Sequence, residues 1–269
     1  MLLISASGKN PDILAAAKHA LAATEGPIAA LCLRGASPLA ELLAPTHNES
    51  LAGLEYPLAK DGFLATGTLL ATLALLARGW GMAAPPDPLP ALTAEALDTQ
   101  ALDTQGLAGA RSLVALASGW ASMAAIDLES RWGEAGLGSV TALDPRNFAH
   151  GRHQGLSRLA SDTAVIALTT PADEEVIGGT LDLLPKTIST HRVQTPLDGP
   201  WGAIDLVVRT LTLAGTIGRH QGFDPGRPGV PDFGRKLYHQ RLPARCSERQ
   251  PRRMSWRSYE SSVNGVGPT

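Results

Sequence analysis

Ser5-Ala6-Ser7-Gly8-Lys9-Asn10 is the first stretch of this chain whose residue types suit chemistry. It offers two hydroxyls, a flexible glycine, a lysine and a capping amide. It lies between a short apolar run, Leu2-Leu3-Ile4, and apolar residues at helical spacing, Ile13, Leu14, Ala17, Ala20 and Leu21. A strand-to-helix turn presents backbone N–H groups and a helix N-terminus to an anion, so this composition suits a phosphate. An ordinary turn with an Asn cap fits the same residues equally well. A second constellation is Asp127, Arg131 and Glu134, spaced i, i+4 and i+7 and therefore on one helix face. A carboxylate held beside a guanidinium is a proton-transfer group with a substrate-binding partner, or else a solvated ion-pair strip. A third, Asp144 to His153, crowds two histidines and two arginines into a loop-like segment. Histidine trades protons near neutral pH. His150 and His153 have no third ligand nearby, so no metal is expected. The fourth is the Pro/Gly-dense Asp224 to Pro231, followed by Gly234-Arg235-Lys236. It reads as an ordered loop or a chain end lying over another surface, from which Lys236 reaches a site or stays solvated.

The elements that must position these groups follow from periodicity. After the first strand and helix, Ile28 to Leu33 reads as a strand and Ser37-Pro38-Leu39 opens another helical stretch. Strand, helix, strand, helix argues for a parallel α/β sheet. Pro85-Pro86-Asp87-Pro88-Leu89-Pro90 excludes regular helix and central strand. The pentad Ala96–Gln100 is repeated at once by Ala101–Gln105, as a local duplication rather than a solenoid unit. A domain junction is placed here. A second α/β unit follows: a strand from Ser112 to Ala117, a helix from Ser122 to about Ala135, a strand from Thr163 to Thr169, a helix opening at Pro171–Glu175, and a long apolar helix from Gly199 to Arg219.

The chain has 269 residues, 44% of them apolar and 18% charged, with a formal net charge of −2. That is a globular composition of one or two domains with no general electrostatic reason to hold nucleic acid or an anionic membrane. Two cysteines, Cys32 and Cys246, make neither a disulfide framework nor a Cys-rich zinc site, so a reducing cytoplasm is the expected compartment. The most lipid-like stretch, Phe63 to Ala77, falls short of the roughly 20 residues a bilayer needs. From Pro243 onward five arginines face two glutamates with little apolar periodicity, which reads as a disordered basic tail.

Taken in order, these pieces resemble the sugar isomerase (SIS) family, which includes the isomerase domain of glucosamine-fructose-6-phosphate aminotransferase. The family's Ser-x-Ser-Gly-x-Thr after a strand is matched by Ser5 to Asn10, and its Ser-x-Leu-Ala by Ser37-Pro38-Leu39-Ala40. Lys60 to Ala77 is similar to the helix after its Lys-Ala-Phe-Thr. Ala125 to Glu134 resembles its Ala-x-Glu-x-Ala-x-Lys-x-Lys-Glu, and His150-Gly151 its later His-Gly; Asp224 to Pro228 is a looser counterpart of a closing motif. Asn10 replaces the family's Thr, Arg131 a Lys and Gly133 a second Lys, and Lys236 matches a C-terminal lysine only weakly.

The resemblance implies an α/β fold of tandem SIS-type three-layer modules, each a parallel sheet flanked by helices. The first, 1–82, would be N-terminally incomplete and joined by a linker, 83–106, to the second, 107–242, with the tail at 243–269. It implies a sugar phosphate as ligand, no cofactor, and a homodimer. Ser5, Ser7, Gly8 and Asn10 would hold the phosphate, with Lys9 and Lys236 as further binding groups. Glu134 would be the base that moves a proton between C1 and C2 through an enediol, next to Arg131, and His150 would help open the sugar ring, in relatives often across a subunit interface. The activity implied is aldose–ketose isomerisation or amino-sugar deamination or deglycation. A non-catalytic phosphosugar sensor and a truncated inactive copy are the alternatives.

Overall fold

The structure is a computed structural model that describes residues 1–23, 27–44, 51–53, 61–93 and 104–240. The basic tail and most of the duplicated pentad lie outside the described residues.

Two parallel sheets organise the chain. The first has three strands, β1 (Leu2–Ser5), β2 (Ala29–Cys32) and β3 (Leu51–Gly53), in the order β1-β2-β3. Pairing is parallel, with Ser5 opposite Cys32. Helices α1 (Pro11–Ala23) and α2 (Pro38–Leu43) connect the strands. Both pack on one face, where Leu3 and Ala30 meet Ala17, Ala20, Leu39 and Leu43. β1 is outermost among the described strands, and its Leu2 and Ile4 remain 45% and 43% exposed.

The second sheet has four parallel strands in the order β5-β4-β6-β7: β4 (Ser112–Leu116), β5 (Ser139–Leu143), β6 (Thr163–Thr169) and β7 (Ser189–Gln194). Every residue of β6, Thr-Ala-Val-Ile-Ala-Leu-Thr, is buried, as a continuous apolar run in a sheet covered on both faces should be. One face carries α5 (Ala121–Glu134) and α9 (Gly199–His220), whose Ala124, Leu128, Trp132, Leu206 and Leu213 pack on Leu113, Ala115, Ile166 and Leu168. The other face carries α6 (Pro145–Ala149), α7 (Leu156–Leu159) and α8 (Glu174–Asp182), with Phe148, Leu156 and Ile177 on Leu116, Val165 and Ala167. α6 and the short 3-10 turn Arg152–Gly155 replace the expected loop at 144–153. Asp144 caps α6 by accepting from the amides of Arg146 and Asn147, and Pro145 suits the first helical turn.

α3 (Gly67–Gly79) lies outside the first core: its Leu69 and Leu70 join the main core of the four-stranded sheet. Leu73 and Ala74 join a cluster with Trp201 and Ile204 of α9. The proline-rich segment after it is docked too. The Trp201 indole N–H donates to the Ala83 carbonyl (3.0 Å), and the buried Asp205 carboxylate accepts from the Ala91 amide (2.7 Å) while pairing with Arg209 (2.8 Å). α4 (Thr104–Gly109) leads into β4, and α10 (Asp232–Tyr238) ends the described chain. Among the described residues no helix is long and apolar enough to cross a membrane.

Candidate functional site

The Ser5–Asn10 turn lies at the carboxyl end of β1 and opens α1. The Ser5 hydroxyl accepts from the Gly8 amide (3.0 Å), the Ser7 hydroxyl from the Lys9 amide (3.3 Å), and the Asn10 side-chain carbonyl from the Asp12 amide (2.7 Å). Both hydroxyls therefore spend an acceptor lone pair on the turn and keep their O–H as a donor, which is what an anion requires. Gly8 sits at φ +64°, and a Cβ there would come within 2.5 Å of the Ser37 hydroxyl. Only glycine fits this position, because both the left-handed backbone and the packing exclude a side chain. Ser37 is itself buried. It caps α2 through the Ala40 amide (3.2 Å), and the next amide along, that of Leu39, donates to the Gly8 carbonyl (3.1 Å). The Ser37-Pro38-Leu39-Ala40 segment is thus the floor of the turn. Lys9 and Asn10 are exposed beside it.

Asp127 and Arg131 form a bidentate pair at 2.8–3.1 Å, and the Arg131 guanidinium also donates to the Ala65 carbonyl (2.7 Å). Arg131 is only 4% exposed, so this is a buried clamp and not a solvated strip. Burial pushes the Asp127 carboxyl above its ordinary value, against the pull of Arg131. Glu134 stands apart from the pair. It accepts from the Ser130 hydroxyl (2.9 Å) and lines a cavity of about 390 Å³ with Phe63, Phe223, Pro228, Val230 and Pro231.

Glu134 ends α5, which runs antiparallel to the strands, so it lies at the amino-terminal edge of the four-stranded sheet. Ligand crevices of open α/β sheets lie at the opposite, carboxyl edge. Its cavity is closed by two loops instead: residues 61–66, and the Asp224–Pro231 segment, joined where the Phe63 amide donates to the Gly226 carbonyl (2.9 Å). Among the described residues, Glu134 meets Ser130 and the residues of its own cavity, none of which belongs to the Ser5–Asn10 turn. His150 follows α6, on the other face of the sheet from α5, so one copy of the chain does not bring Glu134 and His150 together. His153 is exposed, with its Nδ1 at 3.0 Å from the Phe148 carbonyl. Lys236 lies exposed on α10.

Asp61 has no counterpart among the sequence-derived candidates. Its carboxylate accepts from the amides of Thr66, Gly67 and Thr68 and from both threonine hydroxyls, closing the N-terminus of α3. Burial raises its pKa, but these hydrogen bonds outweigh burial and hold it at about 2. The run of threonines just after an aspartate was the available signal.

No protein-family profile and no curated protein sequence matches the chain. Solved structures do. Tagatose-6-phosphate ketose/aldose isomerase from Escherichia coli superposes with a TM-score of 0.65 at 17% identity, covering 86% of this chain and 70% of that one. Glucosamine-6-phosphate deaminase from Thermotoga maritima gives 0.65 at 15% identity, covering 86% and 73%. The C-terminal domain of glucosamine-fructose-6-phosphate aminotransferase from Francisella tularensis gives 0.50 at 13%, covering 80% and 69%. The chain therefore has the fold of the SIS-type phosphosugar isomerases, parallel sheets flanked by helices, as its ordered motifs implied.

Proposed function

We propose that this chain binds a sugar phosphate and interconverts an aldose and a ketose, or deaminates or deglycates an amino sugar, through an enediol. The observation that carries this reading is the Ser5–Asn10 turn, a glycine-dependent strand-to-helix turn whose two serine hydroxyls accept from the turn's own amides and keep their O–H to donate beside a helix N-terminus, on a fold shared with phosphosugar enzymes. Ser5, Ser7, Gly8 and Asn10 cradle the phosphate, with Lys9 adding charge. Glu134 is the base: it takes the proton from one of C1 and C2 and returns it to the other. His150 assists ring opening. Because no contact among the described residues joins Glu134 to His150 or to the Ser5–Asn10 turn, a second copy completes the site, and the active form is a homodimer in the cytoplasm. The exposed Leu2 and Ile4 on the outer strand β1 support association. Lys236 approaches from α10.

The test begins with thermal melts in the presence of hexose and hexosamine 6-phosphates, since a ligand that binds only the native state raises Tm by mass action. Glu134→Gln should keep the ligand shift and lose turnover. Mixing the inactive Glu134→Gln and His150→Gln chains should restore turnover. A ligand shift with turnover insensitive to Glu134→Gln refutes the catalytic assignment and leaves a sensor; no shift with any sugar phosphate refutes the reading altogether.

A further inference from the structure

The face of the four-stranded sheet that carries α6, α7 and α8 holds a second cleft, larger than that of Glu134. It encloses about 590 Å³ between α7 and the end of α8. Phe148, Leu156 and Ile188 line it and are buried, while Leu183, also in the lining, is 85% exposed. Small-molecule pockets run from about 300 to 1,000 Å³, mostly apolar with a few placed polar groups, and this cleft fits that description. The rings of Phe148 and His153 stand edge to face at 6.1 Å and 69°, an arrangement that a third ring can extend.

Four polar side chains line the cleft, and three of them have a donor already spent. The Ser157 hydroxyl donates to the Gln154 carbonyl (2.8 Å), and the Thr180 hydroxyl donates to the Val176 carbonyl (2.8 Å). The Phe148 carbonyl can only accept, so His153 Nδ1 carries the ring proton of the neutral imidazole. Its Nε2 is then an acceptor, with the Gln154 side-chain amide at 3.4 Å. Ser157, Thr180 and His153 therefore have lone pairs left for a ligand and no proton to give. The fourth is Thr187, and no aspartate, glutamate, lysine or arginine is among the lining residues. An ammonium would lose hydration here without a counter-charge, and a carboxylate would meet mostly acceptors. A flat apolar body gains from the area it buries, and a single neutral N–H or O–H on it finds an acceptor. We propose that this cleft is a binding site for a neutral aromatic molecule whose one polar group is a hydrogen-bond donor, of the indole or phenol class. The site is separate from the Ser5–Asn10 turn and from Glu134, and the inference does not depend on the sugar phosphate reading.

The test titrates the full chain at pH 8 with indole and with 1-methylindole, following backbone amide resonances by NMR. Indole should shift the amides of Leu156, Ser157, Thr180 and Ile188, and should bind at least about threefold more tightly than 1-methylindole, which has lost the donor. A cleft that responds to apolar area alone gives the opposite order, because the added methyl brings more area. Replacing the three acceptors together, His153→Leu with Ser157→Ala and Thr180→Val, should reverse the wild-type order. Should that variant fail to fold, the order of the two ligands on wild type decides by itself. No shift at these four amides, 1-methylindole binding as tightly as indole, or an unchanged order in the folded triple variant overturns the inference. Sedimentation of Leu183→Asp checks the competing occupant. The variant should sediment as wild type does; if it dissociates a wild-type dimer, the cleft is an interface between copies and the inference is overturned.

Discussion

Replacing Asp61 with asparagine tests a side chain that accepts five hydrogen bonds. The aspartate accepts from three amides and two hydroxyls at 2.5–3.1 Å, and its charge faces the N-terminus of α3. Asparagine keeps the shape, but it has one oxygen to accept with, and its NH2 meets amides that also donate. Two effects add. Loss of charge at a helix N-terminus costs about 0.3–1 kcal/mol. Loss of charge-assisted hydrogen bonds costs about 1 kcal/mol once discounted for the water that reaches this site. The sum of about 1.5 kcal/mol corresponds to roughly 3–6 °C in Tm for a chain of this size. The pH dependence follows from the direction of the shift. The folded-state pKa of about 2 lies below the ordinary 3.8, so the charge stabilises fully above about pH 4 and the contribution is lost as pH falls through about 2. The gap between wild type and Asp61→Asn, measured by urea unfolding with tryptophan fluorescence, should be full at pH 7 and about half closed at pH 3. A variant that melts within 1 °C of wild type at pH 7, or a gap that is the same at pH 3, would refute the argument.

Arg131→Met should be strongly damaging. It strips the counter-charge from Asp127, whose side chain is 19% exposed, and should cost about 3 kcal/mol in urea unfolding, of which Asp127→Asn in the same chain should recover a part. Gly8→Ala forces a side chain into the left-handed region and against Ser37; it should cost about 1–3 kcal/mol and abolish the Tm shift with sugar phosphates, while far-UV circular dichroism stays unchanged. Asp205→Leu leaves Arg209 and the Ala91 amide without their partner, so the 83–93 segment should become sensitive to limited proteolysis at a protease level that leaves wild type intact.

Much of the fold was legible because it rests on local signals. The β6 run is apolar from Ala164 to Leu168, the strand at 112–116 and the helix at 121–134 have the right periods, and Gly199–His220 is a long helix with a largely apolar stretch buried throughout from Trp201 to Val208. The Ser5–Asn10 turn was legible for the same reason: its cap, its glycine and its hydroxyls are neighbours in sequence. β5 and β7 were not singled out. β7, Ser-Thr-His-Arg-Val-Gln, alternates inward and outward residues along its length, but two of the three inward residues, Ser189 and His191, are polar, so no apolar alternation marks it, and it becomes a strand because β6 beside it offers a full ladder. The loop expected at 144–153 is helical because Asp144 and Pro145 cap it and Phe148 finds a buried slot against Leu156 and Val165.

The sequence by itself determined the alternation of strands and helices, the anion-suited turn, and the helix face that carries Asp127, Arg131 and Glu134, because each depends on residues within two or three turns of one another. Tertiary structure alone decided where those faces point. It turned Arg131 inward onto Ala65, 66 positions away in sequence, and set α3 against the four-stranded sheet. It also put Glu134 and His150 on opposite faces of that sheet. Such outcomes depend on which apolar stripes bury against which, a non-local choice made by the summed packing of a whole layer, and no window of sequence contains it.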